Sequence, residues 1–410
     1  MLASHPTILH AQTFEQSVVA ARKADAQFAV QQAAVLGRRA QANQAGTVFW
    51  PYAGVTYNQA DLSVGGKTTS ILSLTQPLLS YDRYLLLQQS ETLMAQADAE
   101  ERQATNDMVL RVFSVMVEVI KNREAIRAND IQINGLQEQL NRAVRMRSLG
   151  QGTVTEVSDF EVQVAVAQAN RLNQQNALQT AERNFNLLTG LHADVVAMTV
   201  EPAQARQEIR SFEELMAYVR DNAPSVKIAR IGLEQAQIAS KRTKAQYVPQ
   251  VSAQVARTQY AGLPSANVSS VAITLSATIG AAQYYDDQKA STEVLRAQEN
   301  LRYSQETTVS EATRLFVAVR SFNDEIIARQ RALDAARQAV TANVKSYQGG
   351  VKTNIDVLAS YKNLADAEVA LVNSRLLQIE AELRLNLLLD RSSAYSVLSD
   401  VSTTFNKSVS

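Results

Sequence analysis

The chain has 410 residues and not one cysteine. That absence excludes disulfides, thiolate-held zinc and cysteine nucleophiles together. It also removes an N-terminal cysteine for lipidation. Only 7 prolines and 14 glycines punctuate the chain, so few positions break regular structure and the composition favours long helices. Histidine is scarce: His5, His10 and His192 are scattered, with no metal-ligand spacing among them, so neither a metal nor another cofactor is expected. The 40 basic and 40 acidic residues cancel, which leaves no electrostatic footprint for nucleic acid. No apolar run approaches the roughly 20 residues of a membrane-spanning helix. The start, MLASHPTILHAQTFEQ, has neither a basic stretch nor a continuous apolar one and does not read as a signal peptide. The expectation is a cytosolic chain or a numbering that begins near a processed terminus.

Catalytic signatures are missing as well. GGVKT at 349–353 lacks the order and spacing of a phosphate loop, and the pair Gly150 and Gly152 is too common a pattern to carry weight. There is no Gly-x-Ser-x-Gly and no His-Glu-x-x-His. No enzyme is expected.

What is present is a duplication. RSLGQGTVTEVSDFEVQVAVAQANRL, around Gly150, returns two hundred residues later as SYQGGVKTNIDVLASYKNLADAEVAL, around Gly350. Gly150 matches Gly350, Thr153 matches Thr353, Glu156 matches Asp356, Val157 matches Val357 and Ala167 matches Ala367. Pro51 matches Pro249, and Tyr81-Asp82 matches Tyr285-Asp286. So long a period marks a duplicated half-protein rather than a solenoid. The repeats are expected at 1–205 and 206–410.

Each half reads as helix, strand pair, very long helix, glycine-marked turn and return helix. In the first half, 12–46 reads as helix, and 47–59 and 68–79 as strands of a hairpin (47–79) around a Gly65-Gly66 turn. A helix over 82–148 follows, about 100 Å long at 1.5 Å per residue, and a return helix at 154–190. In the second half, 207–246 reads as helix and 248–261 with 267–280 as the hairpin (248–280). The long helix spans 286–347 and the return helix 355–390. Segments 191–206 and 391–410 lose periodicity, the last as a polar tail. FEVQVAVAQA at 160–169 alternates like a strand, but its glutamines, alanines and repeat partner favour helix.

The long helices carry two adjacent apolar stripes. Val109, Phe113, Met116 and Ile120 form one, with Met108, Val112, Val115 and Val119 beside it. In the second helix the rows are Ala312, Leu315, Val319, Phe322 and Val309, Thr313, Phe316. Such spacing is coiled-coil packing. A helix touched on both sides belongs to a wall or cylinder, or to an ordinary bundle core. The strands put small and polar residues on one parity and mix Trp50, Tyr52, Val55 and Tyr57 across the other. That suits either membrane-barrel strands, which at four per chain require several copies, or a small soluble cap.

The chain resembles the TolC-like outer-membrane efflux and secretion channels over essentially its whole length. The marks are LSLTQPLLSYDR at 72–83, the Gly-plus-six acidic turns at Gly150/Glu156 and Gly350/Asp356, the DVL at 356–358 and ERNFNLLTG at 182–190. The resemblance implies a mainly α fold with a small β part. It further implies a homotrimer in which a 12-stranded outer-membrane β-barrel, set in outer-membrane lipid, continues into a periplasmic α-helical barrel. Such a passive duct docks onto a periplasmic adaptor and an inner-membrane ABC or proton-driven transporter, for type I protein secretion or efflux of small compounds. The lack of a lipidation cysteine favours the secretion or multi-purpose type. The resemblance also implies a periplasmic gate. Tyr347 matches the gating tyrosine, Lys352 stands at the position of a gating arginine, and Glu156 matches the acidic partner. Thr155 lies beside it and Gln139 at the matching upstream spacing. Asp356 matches an acid that narrows the pore mouth, while Ala359 stands where a second acid is usual. Lysine for arginine gives up bidentate pairing, so a looser closed state is expected. TIGAAQYYDDQ lacks the proline usual at that junction. A soluble coiled-coil scaffold with β-hairpin caps is the reading from another class.

Overall fold

The computed structural model describes residues 14–59, 68–193, 211–260, 267–277 and 280–389. In chain order the elements are α1 (Phe14–Ala24), α2 (Ala26–Gly46), β1 (Tyr52–Gln59), β2 (Thr68–Leu79), α3 (Tyr81–Ser148) and α4 (Val154–Thr189). Then follow α5 (Phe212–Asn222), α6 (Pro224–Ala245), β3 (Gln250–Tyr260), β4 (Val268–Ser276), α7 (Ala281–Gln348) and α8 (Asn354–Leu388). The fold is mainly helical with one small sheet. The Gly65-Gly66 turn, His5, His10, the tail from 391 and nearly all of 191–206 lie outside the described residues.

Four sequence expectations are corrected. The first strand begins at Tyr52 rather than 47, because residues 47–50 turn, with the Trp50 N–H bonded to Thr47 O at 2.8 Å. The helix over 12–46 is two helices, because the Asp25 side chain accepts the Gln27 N–H at 2.9 Å and caps α2. Asp25 is itself buried and paired with Arg111. The helix over 207–246 is also two. Pro224 opens α6 as its first residue and holds Ala223 extended, at φ −58° and ψ 143°. The second long helix begins at Ala281 rather than near 286, since no proline interrupts this junction.

The chain divides into two compact units, and each draws on both halves of the sequence. One comprises 31–103 and 224–308. Its sheet is antiparallel in the order β1-β2-β3-β4. The register sorts the mixed strand residues onto two faces. Val55 pairs with Leu72, Leu74 with Val255 and Val255 with Val271, and Ile273 and Leu275 follow on the same side. The opposite face is mostly Ser73, Thr75, Ser252, Gln254, Ser270 and Thr274. The apolar face is bare: Val55 and Val271 are each 78% exposed and Ile273 75%. Arg38 reaches Glu100 at 2.7 Å and Arg39 reaches Glu101 at 2.6 Å, fixing α2 to α3. Arg242 with Asp82 at 2.8 Å and Gln235 with Gln96 at 2.7 Å fix α6 to α3.

The other unit, 1–30, 104–223 and 309–410, contains the main core. Phe14, Phe28, Phe113, Met108, Met116 and Phe185 are its largest buried side chains, and Phe14 meets Phe113 edge to face. Both stripes of α3 are buried there apart from half-buried Val115. In α7 the row Ala312, Leu315 and Val319 is buried, whereas Phe316 and Phe322 are half-buried. Val162 and Val166 lie on a helix after all, exposed on α4 while Val164 packs inward.

Candidate functional site

The two helix turns are built alike. After α3, Gly150 takes φ +74°, and the N–H groups of Gln151 and Gly150 return to Met146 O and Arg147 O at 2.9 and 3.0 Å. After α7, Gly350 also takes φ +74°, with Val351 and Gly350 bonded to Ser346 O and Tyr347 O at 2.9 and 3.0 Å. This is the left-handed helix stop that glycine adopts at least cost. Thr153 then caps α4 and Thr353 caps α8, each in a reciprocal box with the acid three residues on, Glu156 or Asp356.

The two acids spend their free oxygens differently. Glu156 uses Oε2 for the Thr153 N–H at 3.2 Å and Oε1 for the Tyr347 hydroxyl at 3.3 Å, which links α7 to α4. Asp356 uses Oδ2 for Thr353 and Oδ1 for Lys352 Nζ at 3.3 Å, so its pairing stays within one turn. Tyr347 also packs edge to face on Phe160, with ring centroids 6.4 Å apart. Burial pushes its phenol pKa up and Glu156 adds to the push, against a smaller pull from Arg142. The Asp356 carboxyl is held low, first by the Thr353 backbone N–H, then by the Thr353 hydroxyl and Lys352.

Of the six residues singled out in the sequence, the structure therefore joins Tyr347 to Glu156 and Lys352 to Asp356. Thr155 is exposed beside Glu156. Gln139 is only 5% exposed and faces Tyr361, not Tyr347. Sequence reasoning missed Asp159, which accepts Asn354 Nδ2 at 2.8 Å and ties α8 to α4. It also missed Tyr361, whose ring lies on Gly135 so closely that a Cβ there would overlap it. The signal was visible: Gly135 is the single glycine in α3, where glycine costs about 1 kcal/mol relative to alanine.

The fold is shared with solved outer-membrane channels, and part of the chain matches a family of that kind. Residues 215–391 match the family described as outer membrane efflux protein. The chain is 25% identical over 332 residues to the proteases secretion protein PrtF of Dickeya chrysanthemi, covering 77% of this chain and 71% of that one. It is 22% identical over 311 residues to the alkaline protease secretion protein AprF of Pseudomonas aeruginosa, covering 73% and 64%. The outer membrane protein VceC of Vibrio cholerae shares the fold with a TM-score of 0.76 at 17% identity, over 92% of this chain and 95% of that one. The Campylobacter jejuni CmeC outer membrane channel shares it with a TM-score of 0.78 at 11% identity, over 96% and 90%. The resemblance to outer-membrane efflux and secretion channels, read from the sequence, is borne out.

Proposed function

We propose that this chain is the outer-membrane exit duct of a tripartite export system, and that its cargo is a secreted protein. The observation that carries the reading is the sheet. It sets a bare apolar face against a face of serine, threonine and glutamine, and among the described residues β1 and β4 each lack a partner on one side. Strands of 8 to 12 residues suit a bilayer, which tilted β-strands cross in about 9–11 residues. Apolar residues outward and polar residues inward are the pattern of a membrane barrel, and closure removes open edges. Three copies supply twelve strands, with the long helices continuing as a helical tunnel in the periplasm. The names of PrtF and AprF favour protein cargo. As a passive duct the protein takes its energy from an inner-membrane transporter and a periplasmic adaptor.

In this reading the turns at Gly150 and Gly350 form the periplasmic gate. Tyr347 and Glu156 hold the α7/α8 hairpin to the α3/α4 hairpin, and Asp356 with Lys352, Thr155 and Gln139 lines or braces the mouth. The test is fractionation of cells expressing the full chain, followed by reconstitution into planar bilayers. The duct reading expects an outer-membrane trimer that dissociates on boiling and conducts ions. A soluble monomer without conductance would sink it and leave the scaffold reading. Export of a reporter protein, compared with export of a dye, separates protein secretion from small-molecule efflux.

A further inference from the structure

We infer that Tyr361 and Gly135 form a second latch between the two helical hairpins, distinct in chemistry from the Tyr347–Glu156 link. Gly135 and Gln139 lie one helical turn apart on the same face of α3. The Tyr361 ring from α8 rests on the bare Gly135 backbone, and its hydroxyl meets the Gln139 amide. Gln139 is buried and its Oε1 lacks a hydrogen-bond partner. Tyr347 and Tyr361 thus enter one apolar cluster, formed by Leu136, Ala143, Val157, Phe160, Val164 and Ala167, from two different helices. The arrangement exists once. At the two-hundred-residue offset the counterparts of Gly135, Gln139 and Tyr361 are Ala335, Ala339 and Glu161, so ordinary coiled-coil packing does not demand it. A helix-weakening glycine is seated where a ring from the facing hairpin must come close.

The two latches differ in chemistry. The Tyr347–Glu156 link is a polar hydrogen bond, and the Tyr361–Gly135 contact is steric and apolar. Burial raises both phenols, so strong alkali, which ionises them, loosens both. Release of α7/α8 from α3/α4 then needs both to yield.

The role of the contact as a gate element rests on the duct reading, and the test separates the two. Gln151→Cys and Val351→Cys place spin labels on the two turns of a chain that has no other cysteine. Labelled full-length chains are diluted with unlabelled copies, so that only within-chain distances are read. Gly135→Ala, which drives the ring off α3, and Tyr361→Ala, which removes it, are each expected to widen the distance distribution. The double variant should match Tyr361→Ala alone, because alanine at 135 no longer meets a ring. Unchanged distances in both single variants, or additive effects in the double one, overturn the latch. Gly135→Ala is also expected to raise single-channel conductance several-fold with Tyr347 intact. Widened distances in protein that forms no channel overturn the duct reading and leave the latch as a hairpin clamp. Tyr361→Phe keeps the ring and should keep the short distance; widening by this variant too would assign the hold to the Gln139 contact instead.

Discussion

The Tyr347 hydroxyl donates to Glu156 Oε1 at 3.3 Å while the other oxygen of the same carboxylate caps α4. One side chain thus fixes a helix start and ties it to a helix 191 residues away. Its partner in the duplication, Asp356, is held by its own turn. The gate proposal and the sensitivity of the tip both follow from that difference.

Tyr347→Phe should weaken the tip by about 1 kcal/mol, the usual net worth of one hydrogen bond. A double-mutant cycle with Glu156→Gln, followed by thermal unfolding, checks the coupling. Combined with Lys352→Ala, the same change should raise single-channel conductance in planar bilayers, and unchanged conductance would remove both residues from the gate.

The Tyr347 phenol is raised in the folded chain, so the stability it brings is complete below its ordinary pKa and is lost as pH climbs through the folded one. Wild-type tips should loosen in strong alkali. Tyr347→Phe should lose that component of the alkaline transition in a pH series read by circular dichroism or conductance.

Asp356 behaves oppositely. Its carboxyl is depressed by Thr353 and Lys352, so its contribution is present above the ordinary aspartate value and disappears as pH falls through the folded one. Asp356→Asn should flatten the acid limb of the unfolding curve. Thr353→Ala, which removes the cap itself, should cost about 1 kcal/mol at neutral pH.

Burial pushes the Glu382 carboxyl on α8 up to about 7. A raised acid favours folding while protonated, so stability should decline from its ordinary pKa up to about 7 and level off beyond. Glu382→Gln should abolish the decline and gain on the order of 2 kcal/mol at pH 8, with partial exposure allowed for. Melting temperature measured across that range decides it.

The two sheet faces should differ sharply in tolerance. On the duct reading, Ile273→Arg puts a charge on the lipid-facing side at a cost of roughly 2–4 kcal/mol in a bilayer, and should deplete the proposed outer-membrane trimer. Thr274→Arg, one residue on and facing the other way, should assemble normally and alter conductance or ion selectivity.

The mainly helical class was legible because glycine and proline are rare and the apolar stripes of α3 repeat so regularly. The turns were legible because Gly150 and Gly350, with Thr153 and Thr353 three residues on, are written twice. The Asp25 break was hidden, since one aspartate within a helix-favouring run looks like a surface residue until its cap is seen. Pro224 was in plain view and marks a first helical position, yet the apolar residues on both sides of it read as one continuous helix. The partner of Lys352 depends on a rotamer choice that spacing does not reveal. Tyr361 and Gly135 meet only through tertiary packing; the glycine was noticeable, its reason was not.

The sheet also bears on biogenesis. Among the described residues a lone copy carries two unpaired strand edges, beside a surface whose residues water solvates poorly. Such a subunit is built to stick, and its wrong partners are other copies joined edge to edge in an open-ended stack. On the proposed duct reading, correct assembly is a race between ring closure and aggregation. If the proposed three-chain duct is right, cells making this protein must keep the strands sequestered from one another until the chains meet at a membrane, and overproduction should exhaust that protection before it exhausts synthesis.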